Sequence, residues 1–189
     1  MDEKTLWNKK YSEGSHSSLD PDPFLKNAYG EFLFSQTPGT ALDIAGGVGR
    51  HAIWLAQRGW RVQLLDVSEV GVKHAEENST LAGTADSIST EILDLNTRQD
   101  LGRERYDLVI VFFFLQRELF PALVAALKPG GFLIYKTYTT EQQKFRGGPS
   151  HPLFLLKSNE LLRAFPSLRV LHYHETIQEK GMAELVARK

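Results

Sequence analysis

No cysteine occurs anywhere in the 189 residues of this chain. The absence excludes a disulfide framework, a thiolate zinc site and a cysteine nucleophile. Long apolar runs are missing as well. The opening stretch, Met1 to Gly14, holds nothing suited to a signal peptide, and no later segment approaches the roughly eighteen apolar residues of a membrane span. A cytoplasmic protein with no membrane partner is expected. Nor is one sign of charge in excess: 22 basic residues face 23 acidic ones, for a formal net charge of -1. Nucleic-acid binders gather a basic stripe to displace counterions, and no long Lys/Arg run exists here. The expected partner is a small molecule, not nucleic acid. Repeats and low-complexity tracts are lacking too.

What is present reads as an α/β protein. A chain of 189 residues is long enough for one well-buried core and short for two domains. A single domain over 1–189 is expected, with a helical cap at 1–36 and a core from 37. The cap carries a helix near Glu3–Tyr11 and a second from Pro23 to Ser35, with apolar Phe24, Leu25, Ala28, Phe32 and Leu33 at helical spacing. Pro38-Gly39 breaks it. Strands and helices then alternate: strand Thr40–Ala45, helix Arg50–Gln57 closed by Gly59, strand Arg61–Leu65, a helix from Ser68 to Leu81, strand Ser87–Leu93, strand Tyr106–Phe113 and helix Glu118–Leu127 with Pro121 in its first turn. Pro129-Gly130-Gly131 is expected to turn the chain into a strand over Phe132–Tyr138. Repeated strand–helix units of this length imply a parallel sheet covered on both faces. After a helix near Ser158–Phe165, strands Arg169–Glu175 and Ala183–Arg188 follow with no helix between them. They form an antiparallel hairpin, so the sheet is mixed at one edge. No edge or helix announces a partner, and a monomer or weak homodimer is expected.

The most informative stretch is Leu42-Asp43-Ile44-Ala45-Gly46-Gly47-Val48-Gly49-Arg50, between a strand and a helix. Glycines there let backbone approach a ligand that a Cβ would exclude, and the helix start offers free N–H groups. Asp66 ends the next strand, where a carboxylate can accept ribose hydroxyls. Gly47-Val48-Gly49-Arg50-His51-Ala52 also matches the G-x-G-x-x-A dinucleotide fingerprint. On that match alone, NAD(P) and S-adenosylmethionine both stay open. Three features favour the second. Asp43 stands where it would repel a pyrophosphate but attract a sulfonium and an amino group. Asp94 follows the third strand, placed to accept from an adenine amine. The terminal hairpin adds topology. Each acid also has a plainer reading: Asp43 as a helix cap, Asp66 as a loop acid, Asp94-Leu95-Asn96 as ordinary turn material.

Asp43–Gly49, Asp66, Asp94, Tyr106-Asp107-Leu108-Val109 and Leu127-Lys128-Pro129-Gly130-Gly131 resemble the successive motifs of class I S-adenosylmethionine-dependent methyltransferases. The resemblance is strong over residues 40–138 and topological elsewhere. Trp7-Asn8-Lys9-Lys10-Tyr11 and Leu115-Gln116-Arg117-Glu118-Leu119-Phe120-Pro121 are similar to the small branch related to tellurite-resistance methyltransferases. Ala45 departs from the pattern, standing where the first motif glycine is expected. The resemblance implies a Rossmann-like, mostly parallel seven-stranded sheet and S-adenosylmethionine as cofactor. It would be held by Asp43, Ala45, Gly46, Gly47, Gly49, Asp66, Val67, Asp94, Leu95 and Phe112. Trp7 and Tyr11, four apart and so on one helix face, would cover it; hydrophobic anchoring of the helix is the competing reading.

Methyl transfer is an in-line displacement with the leaving group already supplied, so the protein must chiefly align the acceptor and exclude water. The Asn/Asp-Pro-Pro-aromatic motif of base-amine methylation is missing after the fourth strand. Phe112, Phe113 and Phe114 offer an aromatic wall suited to a soft or neutral acceptor, or simply a core. Arg117 at its rim would hold an anion. Tyr138, Arg146 and His151 are the further candidates for acceptor contact. His172 and His174 form an H-x-H on a strand with no third ligand in the sequence, so no metal site is expected. Two rivals remain: an NAD(P) oxidoreductase, for which the Ser with Tyr-x-x-x-Lys is wanting, and a non-catalytic cofactor-binding module.

Overall fold

A computed structural model describes residues 2–189. The chain divides into two compact units, one ending at Arg98 and one spanning Gln99–Lys189. The first holds α1 (Glu3–Ser12), α2 (Pro23–Ala28), β1 (Thr40–Ile44), α3 (Arg50–Ala56), β2 (Arg61–Asp66), α4 (Glu69–Leu81) and β3 (Ile88–Ile92). The second holds β4 (Tyr106–Phe112), α5 (Phe120–Ala126), β5 (Leu127–Tyr138), α6 (Glu160–Ala164), β6 (Arg169–Thr176) and β7 (Met182–Arg188). The strands form a seven-stranded sheet in the order β3-β2-β1-β4-β5-β7-β6.

In the first unit β1, β2 and β3 run parallel, with Asp43 opposite Leu64 and Leu65 opposite Glu91. Parallel strands end on one edge, so the turns after β1, β2 and β3 gather there. Burial follows position. Four of the five β1 residues are buried, whereas β3, rich in Ser, Thr and Glu, is nowhere fully buried, as suits an edge. The helices are set by their caps. Asp2 accepts from Thr5 N at 2.8 Å to start α1, and Ser68 Oγ accepts from Gly71 N at 3.0 Å to start α4. The residue-23 helix stops being α-helical at Ala28, short of the expected Ser35, and continues as a widened turn over Tyr29–Leu33 that contains Gly30. The buried Asp22 N–H donates to His51 Nε2 at 3.2 Å, fixing that nitrogen as an acceptor and docking the segment before α2 on α3. Residues 3–36 thus belong to the same compact unit as β1–β3.

In the second unit β4 and β5 are parallel, β7 is antiparallel to β5, and β6 is antiparallel to β7. β4 is buried at every residue but Asp107, the pattern of a strand covered on both faces. Pro129-Gly130-Gly131 lies inside the strand, not before it. Gly130 N donates to Lys189 O at 2.8 Å and Lys189 N to Gly131 O at 2.9 Å, so the turn residues keep a ladder partner. A Cβ at Gly131 would meet three backbone oxygens within 3.2 Å, which explains the glycine. The last helix is shorter than expected because Asn159, at φ +58°, starts it and Phe165 ends it.

Candidate functional site

Asp43, Asp66 and the turn Ala45–Gly49 come together at the carboxyl edge of β1 and β2. Asp66 is 4% exposed. Its Oδ2 accepts from Gly47 N and its Oδ1 from Ser68 N, both at 2.8 Å. One carboxylate therefore holds the turn after β1 and the turn after β2 in register. Burial raises its pKa, and the Ser68, Gly47 and Val67 amides pull it partly back. Asp43 is 1% exposed. Burial pushes its carboxyl up to about 7; Arg50 opposes this, Asp66 adds to it and the Ala52 amide opposes it. The Ala52 contact matches the capping role considered from sequence. Yet Oδ2 of Asp43 is buried with no hydrogen-bond partner, which capping leaves unexplained.

The glycines have packing reasons of their own. A Cβ at Gly46 would lie 2.6 Å from Leu64 Cγ, and one at Gly49 (φ +85°) 3.0 Å from Ala75 Cβ. At Gly47 (φ +55°) it would strike the Tyr11 hydroxyl. Ala45, the departure from the glycine pattern, keeps φ +54° although it carries a methyl, a conformation costing a residue with a Cβ about 1–2 kcal/mol. Tyr11 is wedged between Gly47 and Gly71, where an added Cβ would sit 2.8 Å from its Cε2. Burial holds its phenol well above the ordinary range. Trp7 stacks on Tyr11 at 5.6 Å and His16 meets Trp7 edge-on at 5.5 Å. Helix α1 thus lays Tyr11 on the glycine turn, with Trp7 stacked on Tyr11.

Asp94 lies two residues beyond β3, half-buried. Its Oδ1 accepts from Asn96 N and Asn96 Nδ2 at 2.9 and 3.0 Å, the geometry of the plain turn also considered. Leu95 is buried beside it and Val67 is half-buried after Asp66.

The remaining candidates belong to the second unit. Phe112 is buried, and Phe113, half-buried, stands at φ +59°, a strained position for an aromatic at a strand end. Phe113 lies between Phe112 at 6.3 Å and Tyr138 at 5.6 Å. Arg146 is exposed. His151, also exposed, accepts from Leu153 N at 3.3 Å and so caps the short turn over Pro152–Phe154. Among the described residues no three His, Asp or Glu side chains gather as a metal site.

Arg117 is committed to the fold. Its Nε and Nη2 clasp Glu160 at 2.5 and 3.0 Å, while Nη1 and Nη2 donate to Leu153 O and Leu155 O at 3.2 and 2.9 Å. Arg117→Ala is expected to lower stability by about 2 kcal/mol, since a forked, hydrogen-bonded pair is lost and the Leu155 carbonyl is stranded. Arg117→Lys recovers little, lacking the fork. Urea melts measure both; an unchanged midpoint in Arg117→Ala would free the guanidinium for a ligand.

Three contributors were not singled out from sequence as site residues: Asn8, Ser68 as more than a cap, and Gly71. Asn8 bonds to residues about sixty positions away, which no local pattern announces. Gly71 did carry a signal, because a glycine inside a helix costs about 1 kcal/mol against alanine and needs a packing reason.

Residues 31–184 match the family model of the tellurite resistance protein TehB. The chain belongs to the TehB family. The probable S-adenosyl-L-methionine-dependent methyltransferase TehB of Haemophilus influenzae is 28% identical over 151 residues, covering 76% of this chain and 50% of that protein. The TehB-family chain thus spans about half the length of the curated relatives it matches. The solved H. influenzae TehB structure superposes with a TM-score of 0.74 at 19% identity, over 96% of this chain and 67% of that one. A SAM-dependent methyltransferase from Aquifex aeolicus gives 0.71 at 18%, over 96% and 97%. The [4+2]-cyclase SpnF gives 0.77 at 14%, over 98% and 94%. The fold is that of the class I methyltransferases; the cyclase's presence among the likenesses means that reaction type must be argued from the site.

Proposed function

We propose that this TehB-family chain is an S-adenosylmethionine-dependent methyltransferase acting on a small soft nucleophile such as a thiol, tellurite or selenite, with the whole chain as one working domain. One observation carries the choice of cofactor: the unpartnered Oδ2 of buried Asp43 beside the glycine turn. A cation there would offset the desolvation that resists ionisation, and a pyrophosphate would meet two buried carboxylates instead. Of the NAD(P) reading, that leaves little. The residues present fit the cofactor. Asp43 would take its positive charge, Asp66 its ribose, and Asp94 its adenine amine, with the 45–49 turn, Val67 and Leu95 lining it and Trp7 and Tyr11 above.

The cofactor supplies an activated methyl group and a neutral leaving group. The chain's own task is alignment and exclusion of water, with no covalent intermediate. The aromatic run at Phe112–Phe113 and Tyr138 suits a polarisable acceptor, with Phe112 also assigned to the cofactor by the resemblance and Arg146 and His151 as acceptor contacts; Arg117 contributes by bracing the 153–160 segment. No helix among the described residues is long and apolar enough to cross a membrane, and a net charge of -1 favours no nucleic acid. A cytoplasmic monomer or weak homodimer completes the reading. Thermal melting tests it: S-adenosylhomocysteine at about a hundred times its Kd is expected to add roughly 2.7 kcal/mol of stability, and NADH none. Stabilisation by NADH alone would overturn the assignment. Binding without methyl transfer to any thiol, tellurite or selenite would reduce the chain to a cofactor-binding module.

A further inference from the structure

We propose that Asn8 is a positioning residue for Asp66, acting through Ser68, so that helix α1 is a built-in wall of the cofactor site. The inference rests on the S-adenosylmethionine reading above. Asn8 Oδ1 accepts from Ser68 Oγ at 2.7 Å and from Val70 N at 3.4 Å, and Asn8 Nδ2 donates to Glu69 Oε1 at 3.1 Å. The amide has no freedom to flip, because a carboxylate can only accept and Nδ2 must face it. Ser68 is fully buried, its hydroxyl proton directed to Asn8 and its oxygen accepting from Gly71 N at 3.0 Å. The next link is the Ser68 N–H, which donates to Asp66 Oδ1. A polar residue of α1 is therefore two hydrogen bonds from the acid assigned to the ribose.

The rest of α1 points the same way. Tyr11 sits on Gly47, after β1, and Glu3 Oε2 accepts from Asn96 Nδ2 at 3.0 Å, after β3. One helix thus touches the turns after β1, β2 and β3. The Asn8 contact continues by hydrogen bonds, through Ser68, to the buried Asp66. The Lys4–Glu69 ion pair, at 3.5 Å and half-exposed, adds little. A loose hydrophobic cap would need none of this polar matching. Asn8 instead fixes the Asp66-Val67-Ser68 turn, and a turn displaced by about 1 Å can cost a site up to about a hundredfold.

Calorimetric titration with S-adenosylhomocysteine provides the test, with near-UV circular dichroism reporting whether Trp7 and Tyr11 stay docked. Asn8→Ala is expected to bind about tenfold more weakly than the unsubstituted chain while the aromatic signal persists. Asn8→Asp alone stays weak, because it sets a second carboxylate against Glu69. Asn8→Asp with Glu69→Gln keeps the acceptor toward Ser68 and reverses the donor beside it, and is expected to restore binding to within about threefold. Should Asn8→Ala undock the helix, the double variant still decides, since restored affinity and signal together require the relay. Unchanged affinity in Asn8→Ala, or a double variant as weak as Asn8→Ala, overturns the proposal. Failure of the unsubstituted chain to bind at all would instead strike down the cofactor reading, and this inference with it.

Discussion

Asp66→Ala is expected to weaken S-adenosylmethionine binding by on the order of a hundredfold, because a site built to hydrogen-bond a hydroxyl loses the ligand when its buried partner is gone. The same substitution also costs the fold. Asp66 accepts from Gly47 N and Ser68 N at 2.8 Å, so truncation strands two buried amides and unties the turns after β1 and β2. Each stranded donor costs about 1–3 kcal/mol, partly offset by the release of a carboxyl whose burial raises its pKa. The net result is a lower melting temperature together with the affinity loss. Calorimetry and thermal melts measure the two, and an affinity within twofold of the unsubstituted chain would remove Asp66 from the site.

The parts of this molecule legible in its sequence are those governed by short-range physics. The strand–helix alternation, the glycine break after β1, the Ser68 cap and the terminal hairpin each follow from spacing or from a single residue's conformational demand, and each stands where expected to within a few residues. Asp43 and Asp66 were legible because a strand-to-helix turn fixes where such acids lie. Two things were not. Packing against Leu64, Tyr11 and Ala75 is a further demand on Gly46, Gly47 and Gly49; contacts between distant segments are silent in local pattern. Arg117 read as a charged rim for an anion. Its partner Glu160 lies 43 positions away, and nothing near Arg117 distinguishes a brace from a substrate clamp.

Stability and cofactor affinity are both expected to depend on pH through Asp43. Its carboxyl is raised from 3.8 to about 7, chiefly by burial. The folded chain therefore holds a proton there that the unfolded chain has released, and between those two values stability falls as pH rises. The stabilisation is complete below about pH 4 and is lost as pH passes through 7, with a difference of about 4 kcal/mol between the limits. Asp43→Asn cannot ionise. It is expected to match the unsubstituted chain below about pH 4 and to be the more stable of the two at pH 8.5. Asp66, raised in the same sense, adds to the slope that survives in the variant. Cofactor binding runs the opposite way. A cationic ligand prefers the ionised acid, so below pH 7 binding must expel the proton, and affinity for S-adenosylmethionine should climb about tenfold per pH unit before levelling. In Asp43→Asn that climb flattens and the affinity at pH 8 drops. Calorimetry at pH 5.5, 6.5 and 8 in buffers of different ionisation enthalpy reads both the slope and the released proton. A flat affinity profile with no proton released would mean that the buried oxygen of Asp43 faces no positive charge, and the argument for a sulfonium ligand would lose its physical basis.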